Sequence, residues 1–129
     1  MNMNPAMSPV SNFFAGHKAM KQSQQLHIVF SEVTWGRTQQ LKFFALLNLG
    51  MIQSLASGVL SATDAVRHFY HADNCLYIRE ALRDSVADSI MSHGVQLPDV
   101  FDCLSAEEAH REFLHELETI RSLSLKLLE

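Results

Sequence analysis

The sequence lacks the short motifs that organise many enzyme active sites. It has no Gly-x-Ser-x-Gly elbow, no glycine-rich phosphate loop and no Cys-His arrangement at a specific spacing. Nucleophilic catalysis therefore has no support. Cys75 and Cys103 are too few for a disulfide framework and do not have the spacing of a metal or redox site. We interpret both as small buried hydrophobic residues.

Positive charge is also sparse. The 10 Lys and Arg are scattered and are outnumbered by 14 Asp and Glu, which gives a net charge of −4. This balance disfavours binding to nucleic acid or to an anionic membrane. The sequence before Lys18 contains neither a basic residue nor a continuous apolar core. It is therefore not typical of a secretory signal, and we expect a cytoplasmic protein.

Residues 1–16 are predicted to form an arm, because proline and glycine punctuate them and make a helix unfavourable there. Phe13 and Phe14 in this arm are expected to dock on its own domain or on a partner. Residues 17–129 are then predicted to form one domain, since a chain of this size with 47% hydrophobic residues can bury a sizeable core.

β-Branched residues are too sparse, and strict alternation too rare, for a sheet. Residues 43–60 read FFALLNLGMIQSLASGVL and contain no charge. Apolar residues here occur all round a helical wheel, a pattern typical of a helix enclosed in a core or in lipid. Polar Asn48 and Gln53, and the lack of any Lys or Arg after the stretch until Arg67, favour a protein core over a membrane span. We predict a central helix over residues 38–57 that stops near Gly58.

Gly50, Ser54 and Gly58 share one face of this helix because they are four residues apart. Two interpretations remain open. A neighbouring helix of the same fold approaches closely at this face, or the face pairs with a second copy of the chain, since small residues let two backbones meet.

The remaining elements are also predicted to be helical. An amphipathic helix over 17–33 ends before Gly36, and Trp35 packs at the joint. Capping residues predict helices from Ser61 to about residue 72, from residue 75 to 93 and from Ser105 to 128. Apolar spacings of three and four predict buried stripes on the last two of these helices, at Ile78, Leu82, Val86 and Ile90, and at Phe113, Leu117, Ile120, Ser124 and Leu127. Asp73 and Asn74 are expected to cap the second of these helices, and Gly94 to end it. Pro98 opens a very short helix that returns three apolar side chains to the core, namely Val100, Phe101 and Leu104. The result is an all-α compact bundle of four main helices plus one or two short ones.

Two groups of residues are candidates for metal chemistry. His68 and His71 combine with Glu112 and His115, the last two forming a Glu-x-x-His pair like half of a di-iron site. The second group consists of two acidic rows on helices, which could hold Mg²⁺ if they faced each other. These rows are Glu80, Asp84 and Asp88, and Glu108, Glu112 and Glu116.

We expect a protein–protein interaction module, such as an adaptor, a regulator or an immunity-type binder, which self-associates as a homodimer or binds another protein. The expectation depends on a surplus of apolar positions and on the lack of catalytic motifs. The sequence points to no catalytic residue and no cofactor. The alternative is a metal-binding bundle or metal-assisted hydrolase that uses the acidic rows or the histidines.

Overall fold

The computed structural model describes residues 25–129, and within them every regular element is helical. The predicted all-α bundle is confirmed, whereas the predicted arm over 1–16 and residues 17–24 of the helix predicted over 17–33 lie outside the described residues. In chain order the elements are α1 (Leu26–Ser31), α2 (Arg37–Ala56), α3 (Ala62–His68), α4 (Ala72–Tyr77), a π-helical turn (Ile78–Leu82), α5 (Ser85–Val95), a 3₁₀ turn (Leu97–Asp99), α6 (Val100–Cys103) and α7 (Ala106–Leu128).

The central helix α2 has the predicted extent and ends. Gly36 is its N-cap, and the backbone N–H of Gly36 donates to Gln39 Oε1 at 3.3 Å. At the other end Gly58 has φ 80°, a left-handed conformation that glycine adopts without steric cost. The N–H groups of Val59 and Leu60 then both donate to the Ser54 carbonyl, at 3.0 and 3.2 Å. The stop predicted at Gly58 is therefore confirmed.

Helix α2 packs against α7, which also contacts α5. The inner face of α2 buries apolar residues together with Asn48. The prediction that α2 is enclosed on all sides is wrong, because Leu46 is 55% exposed and Gly50 and Gln53 are also exposed. The sequence is apolar on this outer face, but among the described residues no helix covers it.

The predicted single helix over 75–93 is interrupted. After the π-helical turn, Arg83 adopts a left-handed conformation with φ 51°, and Asp84 then caps α5 by accepting from the Ala87 N–H at 3.0 Å. The Arg37 guanidinium donates to the carbonyls of Leu82 and Arg83, so the backbone acceptors at the break are satisfied. The predicted buried stripe survives at three of its four positions, Ile78, Leu82 and Ile90.

Asn74 connects three segments rather than capping a helix as predicted. The cap of α4 is His71, whose Nδ1 accepts from the Asn74 N–H at 3.4 Å. The side chain of Asn74 is fully buried. Its Oδ1 accepts from the Leu26 N–H at 2.9 Å, and its Nδ2 donates to the Phe69 carbonyl at 2.8 Å. Asn74 therefore holds α1 against the end of α3.

Gly94 does not end α5, which continues to Val95. Instead it gives space to the ring of Tyr70, because a Cβ at position 94 would overlap the ring atoms Cγ, Cδ1 and Cε1. Tyr70 is fully buried, and its hydroxyl donates to Asn48 Oδ1 at 2.8 Å. The contact fixes α5 and the segment after α3 against α2.

Tyr70 also predicts a dependence of stability on alkaline pH. Burial raises the pKa of its hydroxyl above the ordinary value, whereas a tyrosine in the unfolded chain titrates near pH ~10. The unfolded state therefore releases this proton first, so stability that is present below pH ~10 is lost as the pH rises further. Between pH ~9 and ~11 the free energy of unfolding of the wild type should fall by about 1.4 kcal/mol more than that of Tyr70→Phe, as measured by denaturant titration. Equal pH slopes for the two proteins would contradict this prediction.

The last helix, α7, matches its prediction closely. Ser105 Oγ accepts from the Glu108 N–H at 3.2 Å, and the Glu108 carboxylate accepts from the Ser105 N–H at 3.4 Å, which confirms the capping box. Leu117, Ile120 and Ser124 are buried along the predicted stripe. Leu114 and Leu125 are 43% and 41% exposed on a different side of the helix.

Three predictions about the connecting segments need correction or refinement. Pro98 lies in the first turn of a short helical segment as predicted, but Leu97 is the residue buried there, whereas Phe101 and Leu104 are exposed. Cys103 is exposed and Cys75 is half-buried, so the burial predicted for Cys103 is wrong. Trp35 does pack at the joint before α2, with its ring centroid 5.2 Å from that of Phe43.

Candidate functional site

The first acidic row is divided by the break before α5. Asp84 caps that helix and forms an ion pair with Arg37 at 3.7 Å. Asp88 forms an ion pair with Arg79 at 3.6 Å, while Glu80 is exposed on the π-helical turn. Two of the three carboxylates are therefore already used in contacts with arginine.

The second acidic row is also dispersed, and two of its three carboxylates have separate local contacts. Glu108 belongs to the capping box of α7, and Glu112 is exposed. Glu116 reaches α5, where its Oε1 lies 2.8 Å from His93 Nδ1. This contact connects the two helices and is one that the sequence did not predict.

The candidate histidine ligands are also dispersed. His71 caps α4, and burial lowers the pKa of His68, with Asp64 opposing the shift. His115 is exposed on α7 beside Glu112, in a shallow depression that Arg111 also lines. Across residues 25–129 the structure brings together no three His, Cys, Asp or Glu side chains that could hold a metal ion.

The outer side of α2 is not covered by another helix of residues 25–129. Lys42, Leu46, Gly50 and Gln53 are all exposed along it, and we call these four residues the open α2 face. A Cβ built at Gly50 would find nothing within 4 Å in the described part of the chain. Within residues 25–129, no helix of the same fold therefore approaches Gly50 closely, which was the first of the two interpretations of this face.

The electrostatics of α2 are unusual for a helix of 20 residues. It has no acidic residue in its first turn and no basic residue in its last turn. Its helix dipole is therefore not offset by side chains of its own terminal turns. Lys42 is the one charged residue of the open α2 face.

The second uncovered surface is a groove between the end of α2, the start of α3, α6 and α7. Its concave volume is about 600 Å³. Buried Leu55 and Leu60 contribute to its lining, together with Pro98, Phe101 and Phe113. The Phe101 and Phe113 ring centroids lie 5.2 Å apart, and Phe101 is 50% exposed. We call this surface the Phe101 groove.

Sequence reasoning missed the Phe101 groove because Phe101 was expected to lie in the core. The helical period places a phenylalanine on a face but does not show whether a neighbour covers that face. One signal was present in the sequence. The segments 55–66 and 97–109, which form much of the groove, contain five acids and no Lys, Arg or His.

Comparison with known proteins gives no identification: no family model, no curated protein and no solved structure matches this chain. None of the helices formed by residues 25–129 has both the length and the apolar character needed to cross a membrane. The function proposed below therefore depends on the open α2 face and the Phe101 groove.

Proposed function

We propose that the chain is a protein–protein interaction module that self-associates through the open α2 face. The observation that carries the proposal is that α2, whose sequence is uncharged from Phe43 to its end, has an exposed side centred on Gly50, where an added Cβ would meet nothing within 4 Å in residues 25–129. Leu46 on this side is the most exposed large apolar residue in residues 25–129, at 55%. A small residue at the centre of an exposed helix side lets a second backbone approach closely, which is typical of a helix-pairing face.

The arrangement we propose is a two-fold pair of antiparallel α2 helices that cross at Gly50. A symmetric pair places the same patch of both copies in contact. Crossing at Gly50 sets Leu46 of each copy opposite Ser54 of the other. A large side chain then faces small ones, and the two backbones approach closely at the glycines.

Charge favours the antiparallel pairing over the parallel one. Parallel helices would place the two Lys42 side chains together. In the antiparallel pair the two lysines are about 24 Å apart at 1.5 Å per residue, well beyond a Debye length of about 8 Å. Each ammonium group then lies near the C-terminal end of the partner's α2, which lacks a basic residue of its own. A cation is favourable at this end of a helix dipole.

The cytoplasmic location is also part of this proposal. Both cysteines are free thiols, and one of them, Cys103, is exposed. Free exposed thiols persist in a reducing compartment.

Light scattering on Gly50→Leu tests the self-association. The wild type should have about twice the chain mass of 14.6 kDa, and Gly50→Leu should have the monomer mass, because the added side chains separate the two backbones. Lys42→Gln should weaken the dimer roughly three- to thirtyfold at low salt, since it removes two charge–dipole contacts.

Ser92→Leu is the matched control, because it places leucine at a small, exposed position of another helix, α5. It should leave the dimer intact. Circular dichroism must show that all variants keep the helical fold. A wild-type mass of 14.6 kDa at high protein concentration, or a dimer that survives Gly50→Leu, would contradict the proposal.

A further inference from the structure

The Phe101 groove has a shape suited to a short apolar segment of another protein. Its volume of about 600 Å³ falls within the range of roughly 300–1,000 Å³ of typical ligand sites, and it opens to solvent along one side. The side chains of Leu55, Leu60 and Ala62 are buried, whereas Phe101 stands half-exposed. Apolar grooves of this form receive amphipathic helices through side chains that repeat every three or four residues.

Aromatic residues at the groove strengthen this interpretation. Phe101 and Phe113 contact each other with ring planes inclined at 51°. Phe101 therefore has a neighbour that holds one side of its ring, while the other side is available. Aromatic residues that are held in place and exposed carry a large part of the energy at protein interfaces.

The charge around the groove defines the partner's chemistry. Asp102 lines it, and Asp99 and Glu107 are exposed on the adjoining segments. Within residues 25–129 none of these three acids forms an ion pair, whereas Asp64 on the other side is paired with Arg67 at 2.9 Å. The Arg111 side chain lines a separate depression on α7. The uncompensated charge at the groove is therefore negative.

We infer that the Phe101 groove binds a basic amphipathic helix of a partner protein, with apolar residues in the groove and Lys or Arg facing Asp102 and Asp99. The apolar contact supplies affinity. Charge complementarity selects basic helices over acidic ones and speeds their association. None of the groove's lining residues belongs to the open α2 face.

Two fluorescein-labelled model peptides test this inference on the full chain. Both have 16 residues with leucine at helical spacing; one carries lysine and the other glutamate on the polar face. Fluorescence anisotropy at low salt should show the lysine peptide binding roughly tenfold tighter than the glutamate peptide. Phe101→Ala should weaken binding of the lysine peptide about tenfold. Asp102→Asn should reduce the difference in affinity between the lysine peptide and the glutamate peptide.

Leu125→Ala is the control, because Leu125 is a large apolar residue of α7, 41% exposed and outside the groove lining. It should leave both affinities unchanged. Equal affinity for the two peptides, or equal losses from Phe101→Ala and Leu125→Ala, would overturn the inference. A third peptide with the sequence of residues 8–24 contains Phe13, Phe14, Lys18 and Lys21. If it binds the groove more tightly than the lysine peptide, the occupant is the chain's own segment, and the separate partner is refuted.

Discussion

Gly94→Ala is expected to destabilise the fold by about 1–3 kcal/mol, the usual cost of inserting a methyl group into a packed core. The new Cβ would overlap three ring atoms of Tyr70. Those atoms belong to the base of a buried ring whose hydroxyl is held by Asn48, so the ring has little freedom to retreat. Alanine's better helix propensity offsets only part of the cost.

Gly50→Ala is the matched control for this prediction. It is the same substitution within a helix, but in open space, so it should stabilise the fold by about 0.5–1 kcal/mol. Both variants are measured by denaturant titration at a protein concentration where light scattering gives the monomer mass. If both substitutions change the free energy of unfolding in the same direction, Tyr70 does not pack on Gly94 as described.

Asn74→Ala is expected to lower the free energy of unfolding by about 2–6 kcal/mol, because it leaves two buried backbone groups without their partner, each at roughly 1–3 kcal/mol. These groups are the Leu26 N–H and the Phe69 carbonyl. Denaturant titration measures the loss, and hydrogen exchange should show a much faster exchange of the Leu26 amide.

Asp73→Ala serves as the control for Asn74. Asp73 is exposed, and its carboxylate accepts a long hydrogen bond from the Gln25 side chain at 3.4 Å. Its loss should cost less than about 1 kcal/mol and leave the Leu26 amide protected. Similar effects of the two substitutions would show that Asn74 does not connect α1 to α3.

Local signals in the sequence predicted the helices and several of their ends. The Ser105–Glu108 capping box, the Ser61 cap and Gly58 act within a few residues of the chain, so their effect can be read without the fold. The length of α2 and the buried stripe of α7 followed from the periodicity of apolar residues in the same way.

Features that depend on contacts between distant segments could not be predicted. The break at Arg83 depends on Arg37, 46 residues away, whose guanidinium satisfies the exposed carbonyls. Asn74 looked like a cap because asparagine is common there, but its partners are Leu26 and Phe69. The exposure of Phe101 and the open side of α2 likewise depend on which neighbours are present, and a helical wheel does not contain that information.

Disulfide cross-linking at Gly50 tests the self-association of α2 most directly. In a chain carrying Cys75→Ala and Cys103→Ser, the proposed pairing would bring the two thiols of Gly50→Cys together at the crossing point. A disulfide needs a Cα separation of roughly 4.4–6.8 Å. Mild oxidation should give a covalent dimer rapidly. Lys42→Cys in the same background should not cross-link with itself, because the two positions are about 24 Å apart. A mixture of the Lys42→Cys and Ser57→Cys variants should form a cross-link between the two chains. Slow oxidation of Gly50→Cys, no faster than that of an exposed cysteine at Leu76 on α4, would contradict the account.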